Sequence, residues 1–421
     1  MSWRMPQWGS MAPMPACITG LGVISPLGPD LETSWSSLLQ GTVALRTVNE
    51  GLAECLQDYP VGPAQLDPAL DRAQIDRRLR RRMDRMTIQA MAAAQEALDD
   101  ARLQVSEQQA RRAAVVMGVG FGAAKTHLYI ASMCLQDKAD RMSPFAIPAG
   151  MPNSAACNVS LANGTMGPTW TVATACAAGL DATGIALMLL RSGAADVVVT
   201  GGTESIVDDV GLGGMGAAKA LSRIDGEDPA VLRPFCRRRR GTAVGEGVAV
   251  LVLETPEHAE ARGAKVRALL TGYGSGSDSF HITQPRPDGT GAMAVMEASL
   301  ASAELQPSAI DAIFAHGTGT PLNDAMEGKA VRKLFGDPAP LVTSTKGQYG
   351  HAMGASGPFH LAFAVKAMED SVVPATVTCQ DPDPECEIVP VLENTPKEVR
   401  AAMVNAFGFG GHNASLVLQA P

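Results

Sequence analysis

Residues 171–193 read Thr171-Val-Ala-Thr-Ala-Cys176-Ala-Ala-Gly-Leu-Asp181-Ala-Thr-Gly-Ile-Ala-Leu-Met-Leu-Leu-Arg191-Ser-Gly193. The β-branched start (Thr171, Val172, Thr174) predicts a strand. The Ala- and Leu-rich remainder predicts a helix that stops near Gly193. Cys176 falls at the turn between them. A thiol at a helix N-terminus meets free N–H groups and the positive end of the dipole, which favours the thiolate. From Ala177 to Leu190 the only charge is Asp181, and a helix apolar all round is a buried one. A buried helix aimed at one small reactive side chain suits a nucleophile mount. Most free cysteines are simply small buried hydrophobes, so the catalytic reading needs a partner base elsewhere in the chain.

The chain is long enough to hold it. Its 421 residues suffice for two domains or one duplicated one, and 46% hydrophobic content allows a sizeable core. Aromatics make up only 4%, so that core rests on Ala, Val, Leu, Ile and Met. A net charge of −9 argues against nucleic-acid binding. The eight cysteines form no CxxC pair, which points to reduced thiols in a cytoplasmic protein and to no metal site. Residues 1–15 carry three prolines and no apolar run, and read as a flexible arm rather than a signal peptide. No stretch has the roughly 18 consecutive apolar residues of a membrane span.

Along the chain, Ile18 to Gly28 predicts a strand entering a Gly/Pro turn. It contains Gly20-x-Gly22, but Pro26 stands where a dinucleotide fingerprint needs a glycine and a helix start, so that reading is rejected. Residues 71–103 predict one long helical segment whose early part is dense in arginine: Arg72, Arg77, Arg78, Arg80, Arg81, Arg82 and Arg85. Such a run is either a solvated face or a docking patch for an acidic partner. Apolar strands at 115–122 and 196–202, each ending in a glycine turn, and at 248–254 alternate with Ala-rich helices, which predicts sheets covered on both faces. The sequence also echoes itself. Strand, glycine turn, apolar helix and strand recur from Cys176 to Gly202 and again from Val342 to Gly411, with His351 in the place of Cys176. The echo predicts a duplicated α/β unit with its join near 255–270, and a site where the halves meet.

Of seven histidines, two stand out. His316 follows the apolar strand 312–315 and opens His316-Gly-Thr318-Gly-Thr320-Pro321. His351 precedes the second apolar helix. With Cys176 they make a nucleophile and two imidazoles at strand-to-turn junctions. Lys346 stands five residues before His351, and Asp324 and Glu327 are placed to pair with it. Phe407-Gly-Phe409-Gly-Gly411 offers free backbone N–H groups, which with the Cys176 N–H suit an oxyanion hole.

The ordered set Thr19-Gly-Leu-Gly22, Thr174-Ala-Cys176, Gly201-Gly-Thr-Glu204, Arg233-Pro-Phe235, Gly245-Glu-Gly247, His316-Gly-Thr318, Ser344-Thr-Lys346, Gly350-His351 and Phe407 to Asn413 resembles the β-ketoacyl-acyl-carrier-protein synthases, the elongating condensing enzymes of fatty-acid and type II polyketide synthesis. The resemblance implies an α/β thiolase fold of two αβαβα halves in five layers. It puts a Cys-bearing half at 16–262 and a His- and Lys-bearing half at 263–421. It implies an acyltransferase with no bound cofactor, in which Cys176 takes an acyl chain from the phosphopantetheine of an acyl carrier protein. His316 and His351 then stabilise the enolate formed as a malonyl thioester loses carbon dioxide. Lys346, with Glu327 as partner, holds the His316 region. Phe409 lends its N–H to the oxyanion hole and gates the acyl pocket. Thr318 and Thr320 contact pantetheine, and Phe121 and Ala146 line the acyl pocket. Arg77, Arg78, Arg81, Arg141 and Lys219 fall at basic docking positions for the carrier. The implied assembly is a homodimer, or a heterodimer with a second ketosynthase-like subunit.

Some positions depart from the family pattern. Cys236 replaces the usual Asp after Arg233-Pro-Phe235, four arginines fill 237–240, Gly347-Gln-Tyr349 replaces Ser-Met-Thr, and Phe121 replaces a smaller aliphatic. These point away from the housekeeping fatty-acid branch, toward a polyketide or specialised fatty-acid pathway. A thiolase-type acyl-CoA acyltransferase would carry a second Cys in the C-terminal glycine turn. Starter condensing enzymes typically have Asn for one His. A chain-length-factor subunit typically lacks the Cys, and a papain-like protease fits neither the second His nor the duplication.

Overall fold

The computed structural model describes residues 14–48, 50–223 and 231–421. Most of the predicted N-terminal arm lies outside them. Ten strands form the main sheet: β1 (Ala16–Ile24), β2 (Ala113–Val119), β3 (Thr169–Val172), β4 (Val197–Glu204), β5 (Gly247–Glu254), β6 (Ala268–Ser277), β7 (Ala312–Phe314), β8 (Leu341–Thr343), β9 (Ala401–Phe407) and β10 (His412–Gln419). Their order is β8-β7-β9-β10-β6-β1-β5-β4-β2-β3. Reading outward from the middle, the first five strands run 1-5-4-2-3 and the last five run 6-10-9-7-8. The second series is the first with five added to each strand, and the parallel and antiparallel pairings match as well. The duplication expected from the sequence echo is therefore a property of the fold. The halves join through a short antiparallel ladder, Ala16–Ile18 against Ala268–Leu270.

Seven helices matter for the layering: α1 (Leu31–Leu39), α2 (Arg85–Asp100), α3 (Ser154–Asn163), α4 (Ala178–Arg191), α5 (Thr290–Ser302), α6 (Pro321–Phe335) and α7 (Ser356–Asp370). The two most completely buried of these helices, α4 and α7, pack on each other and on strands of both halves. They form a middle layer between the half-sheets, and their side chains fill the largest core cluster with Leu180, Leu187, Phe359 and Phe363. Outside, α2 and α3 cover the first half-sheet, with Met91, Ala93, Ala97 and Val159 in a second cluster. On the opposite side α5, with α6 packed against it, closes a third cluster around Met296, Leu300 and Met326. Helix, sheet, helix, sheet, helix makes the five layers implied by the resemblance. Replacing a core leucine such as Leu180 with Ala in this middle layer costs about 3 kcal/mol.

Gly20 and Gly22 have a purely steric task. A Cβ at either position would lie 2.0 Å from Ala97 O or 2.1 Å from Ala93 O, so α2 lies directly on β1. Gly272 and Gly274 do the same for α5 on β6, with 2.2 Å to Ser299 O and 2.1 Å to Val295 O.

The long helix expected over 71–103 is instead three helices, Leu66–Arg72, Arg77–Arg80 and α2. Asp76 and Asp84 break it, each accepting the N–H of the residue two further on and so capping a new start. Arg80 turns back to donate to the carbonyls of Ile75 and Leu70. No helix among the described residues is long and apolar enough to cross a membrane.

Candidate active site

The nucleophile turn is built as its sequence suggests. β3 ends at Val172, one tight turn spans Ala175–Ala177, and α4 starts at Ala178. Ala175 sits at φ +52°, a left-handed conformation that kinks the chain just before Cys176. The second half repeats this with the turn Met353–Ala355, with Met353 at φ +41°, ahead of α7. By that match Gly354 is the equivalent of Cys176. His351 lies three residues earlier, so the expected register of the echo is corrected. Both junctions are rich in Ala and Gly, which left the sequence register loose.

The three expected groups do meet. His351 Nε2 lies 3.2 Å from Cys176 Sγ, and its Nδ1 lies 2.8 Å from Ser356 Oγ at the start of α7. The His316 and His351 rings stand edge to face with centroids 5.2 Å apart. A donor atom from each of Cys176, His316 and His351 falls within 4.8 Å of the other two. A thiol and two imidazoles at that spacing form a donor set that also suits a soft divalent ion. His316 Nδ1 is buried with no hydrogen-bond partner, a polar atom left for a ligand.

The backbone around His316 is held from both ends. Glu327 accepts the N–H of His316 at 2.7 Å and of Gly317 at 2.8 Å, and the fully buried Lys346 donates Nζ to the His316 carbonyl. Asp324 was expected to pair with Lys346. It accepts the N–H of Phe235 at 2.8 Å and of Gly319 at 3.2 Å instead, tying the Arg-Pro-Phe turn to the Gly-Thr-Gly loop. Buried carboxylates here satisfy backbone donors, the cheaper way to keep a charge inside. Thr318 and Thr320 stand side by side on that loop, Oγ1 to Oγ1 3.0 Å.

Electrostatics correct one expectation. Burial pushes the Cys176 thiol up to about 11, against smaller downward pulls from Lys346 and from the N–H groups of Phe409 and of Cys176 itself. Burial, with the Lys346 charge second, also holds His316 and His351 well below the usual imidazole range. Desolvation outweighs the helix terminus, so the resting site holds a thiol and neutral imidazoles, not a preformed thiolate. Burial pulls Lys346 below the usual lysine range and pushes Glu327 above the usual carboxylate range, each partly offset by the other's charge.

The backbone N–H groups of Phe409 and Cys176 lie near enough to the sulfur to favour its charged form. Gly408 presses so close that a Cβ there would lie 3.0 Å from Cys176 N. The Phe409 side chain is 38% exposed at the surface of its turn. Phe121, 58% exposed, follows β2, and Ala146 is buried at the head of a short helix, Ala146–Gly150. Arg77, Arg78, Arg81, Arg141 and Lys219 are all exposed. Arg82 lies over the Phe145 ring, 4.5 Å from its centroid, which brings the arginine segment beside Ala146. Sequence reasoning missed Ser356, which orients His351, and Met353, whose Sδ lies 3.9 Å from Cys176 Sγ. A Ser at the first position of the apolar helix after His351 was the available signal.

Comparison with known proteins identifies the family. The family description "Beta-ketoacyl synthase, N-terminal domain" matches residues 14–259, and "Beta-ketoacyl synthase, C-terminal domain" matches residues 267–380. The chain is 39% identical over 407 residues to 3-oxoacyl-[acyl-carrier-protein] synthase 2 of Staphylococcus aureus, covering 96% of this chain and 97% of that one. Among solved structures it resembles the ishigamide ketosynthase/chain length factor, with TM-score 0.89, 29% identity and coverage of 97% of this chain and 100% of that one. It also resembles the AntDE:AntF complex, a type II polyketide synthase acyl-carrier protein with its ketosynthase bound to the hexaketide, with TM-score 0.88, 27% identity and the same coverage. The chain belongs to the β-ketoacyl synthase family. It has the thiolase fold, and it is an acyltransferase of the condensing class.

Proposed function

We propose that this enzyme extends an acyl chain carried on Cys176 by decarboxylative condensation with a malonyl group on an acyl carrier protein. The observation that carries the reading is the 3.2 Å approach of His351 Nε2 to Cys176 Sγ beside a second neutral imidazole. Loading begins when His351 takes the thiol proton as sulfur attacks the acyl thioester. The oxyanion forms between the N–H groups of Cys176 and Phe409, and the pantetheine thiol leaves with a proton. In the second step the malonyl carboxylate departs as carbon dioxide. The enolate oxygen is stabilised by N–H donors of His316 and His351, which neutral imidazoles supply without a full charge. Its carbon attacks the acyl-Cys carbonyl, the Cys176 sulfur leaves, and a chain two carbons longer remains on the carrier. Lys346 and Glu327 keep the His316 backbone in place for this step.

The phosphopantetheine arm belongs to the carrier and runs past Thr318 and Thr320. Arg77, Arg78, Arg81, Arg141 and Lys219 receive the acidic carrier protein. Phe121 and Ala146 line the acyl pocket, and Phe409 gates it. The functional halves are residues 16–262 and 263–421. The enzyme works as a dimer through the open edge of β3, either with itself or with a ketosynthase-like partner. An aromatic at 121 supports a polyketide or specialised fatty-acid chain over the common saturated series. The intact Cys176–His316–His351 set favours a catalytic subunit over a chain-length factor. Phe407-Gly-Phe409, where a thiolase has a second Cys, disfavours the acyl-CoA acyltransferase.

The test is intact mass spectrometry after incubation with a panel of acyl-carrier proteins, beside Cys176→Ala. Acyl adducts on wild type that vanish in the variant are expected, and the preferred adduct mass identifies the chain. No adduct from any donor, with a second ketosynthase-like chain copurifying, would overturn the catalytic reading in favour of a partner subunit.

A further inference from the structure

Glu204, the last residue of β4, is fully buried, and its carboxylate is held by backbone N–H groups from two separate segments. Oε2 accepts from Gly120 at 2.8 Å, Phe121 at 3.1 Å and Gly354 at 3.2 Å; Oε1 accepts from Phe121 at 3.1 Å and Gly122 at 3.0 Å. The first segment, residues 120–122, carries the exposed Phe121 side chain. The second carries Met353, whose sulfur touches Cys176. The segments meet backbone to backbone: a Cβ on Gly354 would lie 2.7 Å from Gly120 N, and one on Gly120 would lie 3.1 Å from Met353 Cβ. Among the described residues no lysine or arginine forms an ion pair with Glu204. Burial pushes this carboxyl up to about 7, against the opposing pull of the four N–H donors, which favour its charged form. Nothing in the two-step chemistry above uses it.

We propose that Glu204 is a positioning residue for acyl-chain selection: it clips the Phe121 loop to the Met353 turn and so fixes the wall past which a chain reaches Cys176. This rests on the reading of Phe121 as an acyl-pocket residue. A carboxylate is the group that fits, because it offers acceptor sites on both oxygens to four converging donors. Glutamine has the same shape but turns an NH2 toward some of those donors, so the loop loses its anchor while the fold keeps its volume.

The experiment measures Cys176 acylation rates by mass spectrometry with short- and long-chain acyl-carrier donors, in wild type, Glu204→Gln, Phe121→Ala and the double variant. The expected result is a change of about tenfold in the ratio of the two rates for Glu204→Gln, the scale on which small pocket changes discriminate chains. In the Phe121→Ala background, Glu204→Gln is expected to move the ratio by less than about twofold, since the two act through one loop. Equal loss of rate with both donors, a full effect persisting in the Phe121→Ala background, or a Phe121→Ala ratio equal to wild type would each overturn the proposal. A second measurement needs no variant. Hydrogen exchange in wild type should find the amides of residues 120–122 and of Gly354 as protected as those of β4, and free exchange there would overturn it even if Glu204→Gln fails to fold. Absence of any acylation of wild type is a different failure: it defeats the ketosynthase reading, and this one with it.

Discussion

At Cys176 the decisive quantity is the cost of burying charge. The residue sits where a helix dipole and two N–H groups favour the thiolate, yet burial lifts its thiol to about 11. The thiolate fraction then keeps growing with pH across the neutral range, and His351 is too easily deprotonated to trap an ion pair. Alkylation of Cys176 by iodoacetamide, followed on its own peptide because Cys55 and Cys134 are exposed, is expected to accelerate roughly tenfold per pH unit between about pH 7 and about pH 9. A rate already level by about pH 7 would mean a preformed thiolate–imidazolium pair and would refute the assignment. That Cys176, His316 and His351 belong together was legible in the sequence because each stands alone in an apolar or glycine-rich run. Their protonation states were not, because desolvation is a property of what folds around them. The same holds for Asp324 and Glu327: chain spacing puts them near Lys346, but the backbone donors that claim them come from the 233–235 turn and the 316–319 loop.

At the scale of elements, the site depends on how closely α4 and α7 approach. Gly179 is the contact point: a Cβ there would lie 2.3 Å from Gly354 O and 2.4 Å from Pro358 Cγ. Those atoms are backbone and ring and cannot swing away, so an added methyl must push the helices apart. Cys176 and Met353 sit at the ends that would separate. Gly179→Ala is expected to destabilise the protein by about 2 kcal/mol and to slow acylation as well. Gly213→Ala, in the helix Asp209–Ala217 with nothing within 4 Å of its Cβ, is the matched control and should be neutral or slightly stabilising in thermal melts. Equal melting temperatures for the two variants would show that the central layer has slack. The glycines also mark how far the sequence could be read. In the sequence Gly20-x-Gly22 showed only what it was not read as; its packing task appears beside Gly272-x-Gly274, its counterpart in the second half. The arginine segment misled for a local reason: the helical period runs through Asp76 and Asp84, and a cap overrides periodicity.

At the scale of the molecule, the duplication was legible because each half repeats strand, turn, apolar helix and strand in order. What the sequence hid is that the two outer edges are finished differently. At β8 the chain covers its own edge, with Val391 N–H donating to Val342 O at 2.8 Å and Thr343 Oγ1 donating to Pro374 O. At β3, the equivalent strand, the only neighbour among the described residues is β2, and among them no strand lies on the other edge. Apolar side chains gather on this side: Trp170 on β3 is 48% exposed, and Leu161 at the end of the flanking α3 and Met166 just before β3 are 79% and 70% exposed. An open strand edge amid exposed apolar groups is unstable against association, which is the physical ground for the proposed dimer. Light scattering at micromolar concentration is expected to give the mass of two chains. Trp170→Glu, which places a charge directly on the edge, is expected to shift it to one chain with a lower melting temperature. A wild type that is monomeric alone but pairs with a copurifying ketosynthase-like chain would replace self-association with a heterodimer on the same edge. A monomer that binds no such chain would overturn the use of β3 as an interface.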